Sequence, residues 1–142
     1  MNLKELLKHK SAPLLFAKAS TNILDATKSM CDHRVGSLLI QSDDDELLGI
    51  LTERDILRFC SNHPDELKET SIEEVMTRDL IIATPDVSLE EAMSLMTEQR
   101  FRHLPVIEGG KPIGIVSIGD LVKTKLKDVS VEVKYLRDFI SA

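Results

Sequence analysis

Gly49-Ile50-Leu51-Thr52-Glu53-Arg54-Asp55-Ile56-Leu57 and Gly114-Ile115-Val116-Ser117-Ile118-Gly119-Asp120-Leu121-Val122 are two copies of one pattern, sixty-five residues apart. Each copy reads as a short apolar strand that ends on a hydroxyl residue and turns into a helix. Thr52 and Ser117 stand at the helix N-cap, where a side-chain oxygen accepts from an orphan backbone N–H. Asp55 and Asp120 follow three residues later, in the first turn, where a carboxylate reaches back to the cap and suits the positive end of the helix dipole. One copy alone is a capping box. Two in matching contexts make an internal repeat.

The repeat extends upstream. Ile23, Asp25, Ala26 and Met30 recur as Leu89, Glu91, Ala92 and Met96, and Leu38 and Ile40 as Leu104 and Val106, sixty-six residues on. The offset drops by one after the turn at 42–46, whose partner around Gly109-Gly110 is shorter, and a hairpin tip tolerates such a change. The chain divides into an N-terminal helix and entry strand (1–17), a first repeat (18–63), a linker with a short helix (64–79), a second repeat (80–127) and a C-terminal helix (128–142). A unit near sixty residues buries only a marginal core alone, so the copies are expected to pack on each other.

Element by element, Leu3, Leu6 and Leu7 have helical spacing, and Pro13 is expected to end that helix. A helix follows the caps at Ser20-Thr21-Asn22. Strands are expected at 37–41 and 47–51 around the Asp43-Asp44-Asp45 tip, then a helix from Thr52. Ser71-Ile72-Glu73-Glu74 and Ser88-Leu89-Glu90-Glu91 are further capping boxes. Leu80 to Ala83 is extended, strands fall at 103–107 and 111–116, and a helix opens at Ser117. Past Lys127, Val129, Val133, Leu136 and Ile140 give one apolar face to a terminal helix, which must pack on something.

The 142 residues carry a net charge of −6, one Tyr and no Trp. That balance argues against a nucleic-acid binder, which needs a basic footprint and stacking aromatics. No apolar run reaches the length of a membrane span, and the N-terminus lacks the apolar core of a secretory signal. Cys31 and Cys60 form no CxxC, so reduced thiols and a cytoplasmic setting are expected. His9, His33, His63 and His103 have no metal-ligand spacing, and no catalytic constellation stands out, so neither metal nor enzyme is expected.

Val35-Gly36-Ser37-Leu38-Leu39-Ile40, Arg102-His103-Leu104-Pro105-Val106 and the two Gly-apolar-apolar-[Thr/Ser]-x-x-Asp segments, in this order and duplicated, resemble a tandem pair of cystathionine-β-synthase (CBS) domains, a Bateman module. The resemblance implies an α+β fold (α/β in some schemes) of two βαββα repeats about a pseudo-twofold axis, with short N-terminal and C-terminal helices. It also implies clefts between the repeats that take adenosine-containing ligands: AMP, ADP or ATP first, with S-adenosylmethionine or NAD(H) as further candidates. Asp55 and Asp120 suit the two ribose hydroxyls. Thr52 and Ser117 suit ribose or phosphate oxygens at a helix N-terminus. Arg54, Arg102 and His103, with Arg34 or Lys18, suit phosphates, and each also reads as an ordinary surface or strand-edge residue. Gly36, Ser37 and Thr84 suit the adenine edge, and Ile50, Ile115, Leu38 and Pro105 the apolar walls. The two clefts are not expected to be equivalent, because only Thr52-Glu53-Arg54-Asp55 carries charges between its hydroxyl and its Asp.

Two functions follow as expectations. One is a stand-alone energy sensor whose ligand alters a separate, unidentified effector protein, working as the homodimer usual in the family. The other is a ligand-independent scaffold assembled through its helices.

Overall fold

The computed structural model describes residues 1–10 and 14–141, with the backbone alone at 128–132, 135, 138–139 and 141. The role expected of Pro13 lies outside the described residues. The chain forms two compact units, Ser11–Leu80 and Met1–Lys10 with Ile81–Ala142. The fold is mixed α+β.

In the first-repeat unit, β1 (Phe16–Lys18) leads to α2 (Ile23–His33), β2 (Ser37–Gln41), β3 (Leu47–Thr52), α3 (Glu53–Asn62) and a 3-10 turn, η1 (Ile72–Glu74). β1 lies parallel to β2, and β2 pairs antiparallel with β3. Helix α2 starts where Asn22 Oδ1 accepts the Asp25 N–H at 2.8 Å, and stops where Arg34 turns left-handed at φ 55°. Ile23, Ala26 and Met30, at helical spacing, bury against Leu38, Ile40 and Leu51 of the sheet and against Ile72 and Met76. Each fully buried side chain of Leu or Ile size contributes roughly 1.5–3 kcal/mol.

In the second-repeat unit, α1 (Leu3–His9) joins α4 (Leu89–Gln99), β4 (His103–Glu108), β5 (Lys111–Ser117) and α5 (Ile118–Ser141). β4 and β5 are antiparallel, and the counterpart of β1 shrinks to one parallel bridge between Ala83 and Val106. Leu89, Ala92 and Met96 pack on Leu104, Val106 and Val116, and Leu3 and Leu6 of α1 complete this core. The Leu3 N–H donates to Val87 O at 2.9 Å and the Lys4 N–H to Pro85 O at 3.0 Å.

The leading segments are therefore exchanged. Helix α1 precedes the first repeat and folds with the second, while η1 precedes the second and folds with the first. Two glycines make room for them. A Cβ on Gly49 would lie 2.5 Å from the backbone oxygen of Thr77, and one on Gly114 would lie 2.6 Å from a Leu7 methyl. A further difference lies in α5. The sequence reads as a repeat helix ending near Lys127 and then a terminal helix, but one helix runs from Ile118 to Ser141. No Gly or Pro stands between Gly119 and Ala142, so nothing breaks the hydrogen-bond ladder.

Candidate functional site

Most of the residues expected to meet a ligand gather at the end of each hairpin where strand becomes helix. In the first-repeat unit, Ser37 pairs with Thr52 across the ladder, and the Glu53 N–H donates to Gly36 O at 3.0 Å. In the second, His103 pairs with Ser117, and the Ile118 N–H donates to Arg102 O at 2.9 Å. The same backbone bond fixes the two corners.

Strand alternation then decides which side chains share a face. Leu38, Ile40 and Leu51 turn to the helix-packed core, so Ser37, Leu39, Ile50 and Thr52 take the opposite face. Leu104, Val106 and Val116 turn inward likewise, leaving His103, Pro105, Ile115 and Ser117 together on the other. This corrects one wall residue: Leu38 belongs to the core, and Leu39, paired with Ile50, stands where Pro105 pairs with Ile115.

Both capping boxes are formed. Thr52 Oγ1 accepts the Asp55 N–H at 3.2 Å, and the Thr52 N–H donates to Asp55 Oδ2 at 3.0 Å. Ser117 Oγ accepts the Asp120 N–H at 3.0 Å, and the Ser117 N–H donates to Asp120 Oδ2 at 2.8 Å. The carboxylates are thereby held by their own helix starts, half-buried, with acceptor capacity left over.

Each carboxylate also meets the exchanged segment. Thr77 Oγ1 donates to Asp55 Oδ1 at 3.2 Å, while the Thr77 backbone bridges Ile50 in both directions, at 3.0 and 2.9 Å. In the other unit, Lys10 Nζ lies 2.8 Å from Asp120 Oδ2 and donates to Ile115 O at 2.5 Å. Ile50 and Ile115 are equivalent positions, so Thr77 and Lys10 do corresponding work with a hydroxyl in one unit and an ammonium in the other. Burial pushes the Asp120 carboxyl up, but the Lys10 ammonium and the Ser117 N–H together outweigh it and hold the group below its ordinary value.

The sequence does not announce Thr77 and Lys10 as partners of these carboxylates. Neither lies in the Gly-to-Asp pattern. The offset carried upstream sets Leu6 against Ile72, both core residues, but sets Lys10 against Met76, so it does not pair Lys10 with Thr77.

Other residues stand apart. Thr84 follows the Ala83–Val106 bridge in a parallel register, which carries it toward the Glu108 end of β4 and away from His103. Its hydroxyl bonds Asp86, and that bond holds the Asp86 carboxyl below its ordinary value. Lys18 is drawn to the hairpin tip, where Nζ meets Asp45 at 2.6 Å and Ser42 O at 2.9 Å. Arg54 and Arg102 are exposed, and Arg34 is a left-handed helix cap. A cleft of about 260 Å³ lined by Asn2, Lys4, Pro85, Asp86 and Glu108 contains none of the predicted ligand residues. Among the described residues no cluster of His, Cys, Asp and Glu is arranged to hold a metal, and no helix is long and apolar enough to cross a membrane.

Each copy of the duplicated βαββα scaffold thus carries one hydroxyl-and-carboxylate corner. Comparison with family models matches the CBS domain at residues 3–62 and 72–127, and the chain belongs to that family, whose domain pairs are generally regulatory and non-catalytic. It is 38% identical over 130 residues to the mitochondrial CBS domain-containing protein CBSX3 of Arabidopsis thaliana, covering 89% of this chain and 63% of that one, less than two-thirds of the relative's length. Among solved structures, it resembles a putative signal-transduction protein with CBS domains from Burkholderia ambifaria, at TM-score 0.84 and 40% identity over 90% of this chain and 96% of that one. Two more distant neighbours carry ligands. CBSX2 in complex with AMP matches at TM-score 0.72 and 27% identity, over 89% and 96% of the two chains. The CBS domain pair of MJ0100, in complex with 5′-methylthioadenosine and S-adenosylmethionine, matches at 0.79 and 26%, over 90% and 98%.

Proposed function

We propose that this chain is a regulatory sensor that binds an adenosine-containing ligand, AMP, ADP or ATP, through its two hydroxyl-and-carboxylate corners. Binding would then be passed to a separate effector protein. The observation that carries this reading is the duplication: Asp55 and Asp120 stand in the same place on the same corner, each with acceptor capacity that a ribose diol uses. Gly36, Ser37, Thr52, Arg54, Arg102, His103, Pro105, Ile115 and Ser117 are the residues proposed around them, with Ile50 as apolar wall and Leu39 in place of Leu38. Thr84 keeps its proposed place least well, given its bond to Asp86. The AMP-bound and S-adenosylmethionine-bound relatives support the ligand class and leave the phosphate number to experiment. Free Cys31, exposed, suits a reducing compartment such as the cytoplasm.

The test is calorimetric titration of the full chain with AMP, ATP and S-adenosylmethionine, repeated in Asp55→Asn and Asp120→Asn. Saturable binding lost in at least one variant supports the reading. Affinity unchanged in both variants and in their combination would sink it.

A second reading, a homodimeric scaffold that needs no ligand, is favoured by exposed apolar side chains at repeated positions. Leu57 is 70% exposed and its counterpart Val122 44%, and Leu126, Val133, Leu136 and Ile140 continue outward along α5. Exposed apolar groups in series mark an interaction surface. Light scattering on Leu57→Glu with Val122→Glu distinguishes the two: a dimer that persists without ligand and dissociates in this variant supports assembly, and an unchanged mass removes that face.

A further inference from the structure

The two corners share their backbone and differ in the group that the exchanged segment lays on the carboxylate. At Asp55 that group is the neutral Thr77 hydroxyl. At Asp120 it is the Lys10 ammonium, 2.8 Å from Oδ2, in a pair whose side chains are only 23% and 27% exposed. Lys10 is anchored there by position: it is the residue that closes α1, its backbone N–H donates to Leu7 O, and Leu7 rests on Gly114. A second bond to Ile115 O fixes the ammonium on the wall of the corner.

Oδ2 of Asp120 already meets both the Ser117 N–H and the Lys10 ammonium, so a ribose diol that spans both carboxylate oxygens competes with this ammonium there. An ammonium stripped of its partner in a half-buried place is costly unless another anion meets it. A phosphate on the incoming nucleoside supplies that anion, and a neutral nucleoside does not. If Lys10 instead stays on Asp120, the carboxylate's charge is neutralised, and the corner again repels phosphate less than a bare carboxylate would. At Asp55 the partner is a hydroxyl, which gives up a carboxylate without leaving a charge behind.

From this we infer that Lys10 is a specificity-determining residue: it makes the Asp120 corner select phosphorylated over unphosphorylated nucleosides, a selection the Asp55 corner does not make through Thr77. The inference rests on the adenosyl-ligand reading above and deepens it by giving the two corners different charge preferences.

The experiment measures AMP and adenosine affinities on the full chain in an Asp55→Asn background, so that the Asp120 corner is read alone. The set is Lys10 unchanged, Lys10→Arg and Lys10→Thr, the last copying the neutral partner of the other unit. With Lys10 in place, AMP is expected to bind at least about tenfold more tightly than adenosine, as one uncompensated interaction of about 1.4 kcal/mol corresponds to that ratio. Lys10→Arg keeps most of the preference, and Lys10→Thr brings the two affinities to within about twofold. Thermal unfolding of each variant confirms that it is folded. A preference unchanged in Lys10→Thr overturns the inference while leaving the adenosyl reading intact. Binding of neither ligand to the wild-type chain overturns that reading, and this inference with it.

Discussion

The first-repeat and second-repeat units carry the same corner, and each is finished by chain borrowed from the segment that leads the other repeat. What differs is how each loan is made. Thr77 joins as backbone: it forms a two-way bridge to Ile50 and presses its carbonyl on Gly49. Lys10 joins as side chain: α1 rests Leu7 on Gly114 and extends an ammonium to Ile115 O and Asp120. One corner therefore lays a neutral hydroxyl from a backbone-held segment on its carboxylate, and the other lays an ammonium at the end of a side chain on its own. Duplication fixes where an interaction is made but not the chemistry that makes it.

The largest expected effect breaks the comparison at its glycines. Gly49→Ala drives a methyl into a carbonyl that is held in a ladder, so it should cost about 3 kcal/mol, the upper end for overpacking. Gly114→Ala meets only the end of a leucine side chain, which has room to turn, and should cost about 1 kcal/mol. Urea unfolding of both variants decides it. Equal losses would mean that the two segments are held with equal rigidity.

A smaller difference is expected at the carboxylates. Asp120→Ala leaves the Lys10 ammonium half-buried without its partner and should lose about 2–3 kcal/mol, as for hydrogen bonds to charged groups. Asp55→Ala loses a carboxylate's bonds to the Thr52 N–H and the Thr77 hydroxyl but strands no cation, and should lose about 1.5 kcal/mol, the low end for bonds to a charged group. Adding Lys10→Met to Asp120→Ala should recover part of the first loss. Strict additivity of the two changes would show that the pair contributes nothing of its own.

The smallest effect sharpens the charge asymmetry through pH. The folded Asp120 carboxyl sits below its ordinary value of 3.8, so its contribution is present above that value and is lost as pH falls through the lowered one. The stability gap between wild type and Lys10→Met should be full near neutrality and close on acidification. A gap constant down to about pH 2.5, below the usual carboxylate range, would assign the role of Lys10 to packing of its stem.

Much of this was legible in the sequence. Ser88, Asn22 and Thr52 announce helix starts because a cap is a local bargain between neighbouring groups, and all three accept the expected N–H. Apolar periodicity gave the buried stripes of α2 and α4 for the same reason. The continuous α5 differs from the two helices expected because an apolar face that resumes after a polar stretch looks like a second element, although no Gly or Pro interrupts the run. Leu38 stands on the other face from the one expected, and two signals in the sequence separate it from Leu39: strand alternation, and the sixty-six-residue offset that pairs Leu38 with core Leu104 and Leu39 with Pro105.

By itself the sequence determined the repeat, the family, both capping boxes and the pair Asp55 and Asp120, since each is written in spacings of a few residues or in one fixed offset. Only the tertiary structure decided which unit α1 and η1 join, and hence that Thr77 meets Asp55 and Lys10 meets Asp120. Those contacts close 22 residues in the first case and 110 in the second. A contact across that much chain depends on how whole elements pack, and no local pattern encodes it.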